Sequence, residues 1–159
     1  MCRLLVDAMV WNYIAKARAL TGFLASLPDI PVTLTEVLGQ IRLALGKWPE
    51  LNELTLAAER GEIEETELSE EEEEQRIKFL ARHPGLAAVD CGLLAVSTLR
   101  KWKLLTRDKA ILSVAARAGI ITVSLEPLLD QAVEGGFLSP EDSSWILAYS
   151  NGHTGHRTR

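Results

Sequence analysis

A chain of 159 residues with 47% hydrophobic and 25% charged side chains has ordinary globular composition and enough length to bury one core. Its formal charge of −5 argues against a protein that holds nucleic acid mainly through a broad basic surface, and leaves open an enzyme with local basic grooves and an acidic, cation-binding centre. No uninterrupted apolar run reaches bilayer length, Asp7 interrupts any signal-peptide core, and the two cysteines give no disulfide framework; the expectation is a soluble, cytoplasmic protein with no membrane contact.

In chain order, "CRLLVD" reads as a short buried strand and "AMVWNYIAKARAL" as the helix after it, with Val10, Ile14 and Ala17 at helical spacing. "LPDIP" breaks the chain, "VTL" is a second short strand, and "TEVLGQIRLAL" a helix ended by Gly46 and Pro49. "ELNELTLAAERG" is a helix closed by Gly61, and "EIEETEL" alternates like an edge strand. Ser69 and Glu72 have capping-box spacing, so the five glutamates from Glu70 to Glu74 read as a solvated helix start favoured by the helix dipole. "LAAVDCGLLAVSTLRKW" is helical, "KLLT" a strand, "DKAILSVAARAG" a helix and "IITVS" a last strand. "EPLLDQAVEGG" and "SPEDSSWILAYSN" are two further helices, the latter with Ser139 as cap and Pro140 in the first position.

Strands alternating with helices predict an α/β layered domain with a mainly parallel sheet. Residues 1–150 read as a single domain and 151–159, "NGHTGHRTR", as a flexible polar tail. In open parallel sheets functional groups gather beyond the carboxyl ends of the strands, which directs attention to the acids there.

Asp7 ends the first strand, Glu36 follows "VTLT", Asp90 begins the helix "DCGLLAVSTL" and Asp108 follows "LLTR". Each has an ordinary explanation. Aspartates cap helices, and Thr33 with Glu36 has capping-box spacing. Capping, however, does not require carboxylates to converge. Two of them about 4 Å apart repel by roughly 4 kcal/mol at an effective dielectric of 20, a conflict that a divalent cation removes. An all-oxygen site suits Mg²⁺ or Mn²⁺ rather than Zn²⁺, and such an ion activates water and steadies a phosphodiester.

The order of "LLVDAMVWNYI", "VTLTEVLGQI", "AVDCGLLAVSTL" and "LLTRDKAIL" resembles that of PIN-domain nucleases, among them the ribonuclease toxins of prokaryotic toxin–antitoxin pairs. The resemblance runs from about Arg3 to Val123, and residues 126–150 resemble the C-terminal helical extension of some members. It implies a three-layer fold with a mainly parallel sheet between helices. It also implies hydrolysis of RNA with Mg²⁺ or Mn²⁺, bound by Asp7, Glu36, Asp90 and Asp108, the acidic catalytic cluster. Thr106 matches a supporting hydroxyl residue, and Asn12 is a weaker supporting candidate. Homodimers are common in the family, and toxins of this class are often neutralised by a small antitoxin. Cys91 and Gly92 depart from the small residues, such as Ala or Ser, that many relatives carry there.

The apolar faces between Leu38 and Leu56, with Trp48 among them, are the expected surface for a second copy. Cys91 reads as a small buried residue, since no histidine partner stands out. Two other classes compete with the nuclease: a non-catalytic PIN-like module binding RNA or protein, and a phosphoacceptor receiver domain. Receivers pair acids at the end of the first strand, whereas Ala8 and Met9 follow Asp7 here.

Overall fold

The computed structural model describes residues 2–158; residues 1 and 159, the outer ends of the expected domain and tail, lie outside the described residues. The strands are β1 (Arg3–Val6), β2 (Ile30–Leu34), β3 (Glu64–Thr66), β4 (Lys103–Leu105) and β5 (Thr122–Val123). They form one parallel sheet in the order β3-β2-β1-β4-β5. β1 lies at its centre, paired on both sides, which is why Leu4, Leu5 and Val6 form an unbroken apolar run, all of them buried. β3 closes one edge with Glu64 and Glu65, and charge on an edge strand discourages pairing with another chain.

The helices are α1 (Ala8–Lys16), α2 (Leu20–Ser26), α3 (Thr35–Arg42), α4 (Asn52–Glu59), α5 (Glu70–Arg82), α6 (Ala88–Arg100), α7 (Lys109–Arg117), α8 (Leu125–Glu134) and α9 (Pro140–Ser150). On one side α1 packs against α3, α4 and α9, and α2 against α8; on the other, α5, α6 and α7 pack in series. The result is the expected α/β three-layer architecture with a helical extension.

Several local expectations need correction. The first long helix is two helices, because Arg18 takes a left-handed backbone (φ 57°) and turns α1 into α2. The Thr33–Glu36 capping box does not form. β2 runs on through Leu34, which becomes the residue preceding α3, while the buried Thr33 stays within the strand. The Ser69–Glu72 box does form, but Glu72 is not solvated: its residue is 3% exposed and it accepts two hydrogen bonds from Arg100, at 2.6 and 2.7 Å. Arg100 also reaches the Thr66 hydroxyl and the Glu67 carbonyl, so one guanidinium ties α5 and α6 to the sheet edge.

The face expected to meet a second copy is largely consumed by the chain's own core. Leu38, Ile41, Leu51, Leu54 and Trp48 are all buried, and Leu43 is the large apolar side chain of that region left in solvent. The polar C-terminus also makes defined contacts: the Tyr149 hydroxyl donates to the Gly155 carbonyl, the His156 ring stacks on Trp48, and Arg157 donates to the Ala17 carbonyl and Asp142.

Candidate active site

The parallel sheet delivers acids to its carboxyl edge because each strand hands over directly to a helix. Asp7 sits between β1 and α1, and its backbone N–H extends the β1–β4 ladder by donating to the Leu105 carbonyl at 3.0 Å. Its position is that of a helix cap, yet its side chain accepts from the Thr106 hydroxyl at 2.8 Å. Asp7 is 4% exposed. Burial pushes its carboxyl above the ordinary value and the charge of Asp90 adds to this, while the Thr106 hydrogen bond opposes it.

Asp108 does cap a helix: one carboxylate oxygen accepts from the N–H groups of Ala110 (2.8 Å) and Ile111 (3.2 Å) at the start of α7. The Thr106 hydroxyl also accepts from the Asp108 N–H at 3.1 Å, so a single threonine indexes both acids. Asp90 lies in the first turn of α6, partly buried; burial raises its carboxyl, and the negative charge of Asp108 raises it further. Asp7 thus feels Asp90, and Asp90 feels Asp108. The Tyr13 phenol, on α1, joins the same field: burial raises it first, then Asp7, with Asp108 adding and Arg107 opposing.

Glu36 stands apart. It opens α3 at the end of β2, but its carboxylate accepts from Arg76 of α5 at 2.7 Å. Asn12 does not reach the acids either: its amide nitrogen lies 4.0 Å from Met9 Sδ, and its buried oxygen has no partner. The Cys91 thiol is raised by burial and by Asp90, which disfavours a thiolate and leaves Cys91 a packing residue.

Among the described residues, no three His, Cys, Asp or Glu side chains approach closely enough to hold a metal ion as they stand. The donor chemistry nonetheless fits a hard divalent cation. Asp7, Asp90 and Asp108 offer oxygen only, and burial and mutual charge raise Asp7 and Asp90 where a cation would relieve them. Sequence reasoning missed Tyr13, Arg76 and Glu73. Tyr13 had a faint signal, a polar tip among the apolar residues of α1; Arg76 had none, since its partner is 40 positions away.

The acids follow strands of a parallel, helix-flanked sheet, the α/β arrangement in which functional groups gather at the carboxyl edge. The family model for the PIN domain matches residues 4–117, more than half of the chain, and the chain belongs to that family. PIN domains are in general nucleases, which places the protein among hydrolases at that coarse level. No curated protein matches the chain. The helices α8 and α9 follow the matched residues, and among the described residues no helix is long and apolar enough to cross a membrane.

Proposed function

We propose that the protein is a Mg²⁺- or Mn²⁺-dependent ribonuclease that hydrolyses RNA phosphodiester bonds as the toxin of a toxin–antitoxin pair. The observation carrying this reading is Asp7, buried at the end of β1 yet held by the Thr106 hydroxyl, which also accepts from the Asp108 N–H and so indexes both acids at one sheet edge. Asp7, Asp90 and Asp108 would hold the ion. When bound, it would supply Lewis acidity toward the phosphodiester and a lowered pKa for the attacking water. Thr106 orients the Asp7 carboxylate, and the α7 N–H groups orient that of Asp108. Tyr13, kept protonated, can donate to a phosphate oxygen.

The partners follow from the same reading: RNA as substrate, a small antitoxin in the cytoplasm, and a second copy of the chain. A guanidinium pairs well with carboxylates, so an antitoxin arginine placed among the acids would block the site. With the Leu38–Leu56 faces buried, the exposed Leu43 is the apolar contact they leave for dimerisation. Sedimentation at micromolar concentration tests the dimer.

A non-catalytic RNA- or protein-binding module is the second reading, favoured by the absence among the described residues of three acids at ligand distance. Cleavage of a mixed RNA pool in Mg²⁺ or Mn²⁺, with EDTA and Asp108→Asn as controls, decides between them. Metal-dependent cleavage lost in the variant supports the enzyme; an RNA pool left intact in both metals overturns it.

A further inference from the structure

Arg76 joins two carboxylates by different geometry. Its Nε and Nη2 grip Glu73, three residues earlier on the same helix, at 2.6–3.0 Å, while Nη1 alone reaches across to Glu36 on α3 at 2.7 Å. The Arg76 side chain is 14% exposed, while those of Glu36 and Glu73 are 40% and 46% exposed, so it is the two-nitrogen grip within one helix, against a single bond across elements, that makes Glu73 the anchor. The guanidinium passes the first turns of α6 at Gly92, where a Cβ would lie 3.3 Å from Nη1 and 3.6 Å from Cδ. Glycine leaves that passage open two residues after Asp90. One positive charge therefore touches Glu36 and lies against the turn that presents Asp90.

A guanidinium held by two nitrogens on its own helix and by one nitrogen across elements can exchange the single bond without leaving its place. A phosphodiester oxygen is a strong competing acceptor, because guanidinium pairs with phosphate as readily as with carboxylate. We propose that Arg76 is a positioning residue that exchanges Glu36 for a phosphate oxygen of bound RNA, freeing Glu36 to join the aspartates only when substrate is present. This rests on the ribonuclease reading above. Without RNA the guanidinium competes with the cation for Glu36; with RNA that competition ends. RNA and the cation then bind cooperatively, and linkage requires each to tighten the other by the same factor.

Mn²⁺ titration calorimetry of the full chain tests this, with and without a phosphorothioate-linked RNA oligonucleotide shown intact after each run. RNA is expected to tighten Mn²⁺ binding to the wild type about fivefold or more, and in Arg76→Gln by less than about twofold from an already tighter start. Arg76→Lys keeps the charge but loses the fork, and is expected to fall between them; it decides the matter if Arg76→Gln no longer melts cooperatively. Equal RNA dependence in the wild type and the variants overturns the exchange, while leaving the metal reading intact if Asp7→Asn abolishes Mn²⁺ binding. Failure of every protein to bind Mn²⁺ overturns both.

Discussion

The Thr106 hydroxyl donates to Asp7 at 2.8 Å across 99 positions of sequence, and this bond joins the ends of two adjacent central strands. It favours the ionised carboxylate and so opposes the burial that raises Asp7. Thr106→Val keeps the shape and removes the donor. The Asp7 carboxyl should then rise further, moving the acidic limb of the cleavage-rate profile to higher pH. An unmoved limb would separate Asp7 from the ionisation that controls the rate.

Asp7 also sets a pH dependence of stability in EDTA. Its folded value is raised, so between the ordinary value of about 3.9 and that folded value the native state holds more protons than the unfolded chain. Stability from this group is therefore complete below the unfolded value and is lost as pH rises through the folded one. Glu64, Glu72 and Asp142, all held low, drive the opposite trend, so the comparison must be differential. Asp7→Asn should melt above the wild type at neutral pH, with the gap closing on acidification. Its amide oxygen can still accept from Thr106. A gap that is constant with pH would exclude the ionisation of Asp7 as its source.

Asp108 holds two roles that one substitution can separate. Asn caps about as well as Asp, so Asp108→Asn should change metal-free stability by no more than the dipole contribution, roughly 0.3–1 kcal/mol, together with whatever repulsion from Asp90 it relieves. Asp108→Ala, which loses the bonds to Ala110 and Ile111, should cost about 1 kcal/mol. The rise in melting temperature on adding Mn²⁺ should shrink in both variants, since ligand binding stabilises by linkage. Equal Mn²⁺ shifts in the wild type and Asp108→Asn would leave Asp108 as a cap alone.

The Glu72–Arg100 pair lies away from the acids, yet it ties α5 and the last residue of α6 to the end of β3. Glu72→Gln removes a buried charge-assisted pair whose arginine remains a quarter exposed, so the expected loss in urea unfolding is about 1–3 kcal/mol. The Arg100 bonds hold Glu72 low, so its contribution is complete above the ordinary Glu value and vanishes as pH falls through the depressed one. Wild type and variant should converge in acid.

The architecture was legible because parallel strands buried on both faces announce themselves as apolar runs, and each run leads into a helix marked by capping residues. Asp7 and Asp108 were findable on that account: strand ends in such a sheet share one edge. Glu36 was equally findable as a position but not as a state, because its partner comes from a helix 40 residues later and nothing near Glu36 encodes it. Glu72 misled for a related reason. A run of five glutamates looks uniformly solvated, and only the three-dimensional path of Arg100 singles out the one that is buried. The break at Arg18 was invisible because a left-handed arginine carries none of the glycine signal that usually marks such a turn.

The strand order has a consequence for biosynthesis. β1 pairs with β2 within the first 34 residues, but its other neighbour, β4, ends at Leu105, about two-thirds of the way along the chain. Domains emerge from the ribosome amino terminus first, and distant pairings close late. Until β4 docks, Asp7 lacks the Thr106 hydroxyl and Asp90 lacks the field of Asp108, although half the sheet can already form. Fragments ending before Thr106 therefore lack the hydroxyl that holds the Asp7 carboxylate, and the acidic edge is assembled only after about two-thirds of the chain has been made.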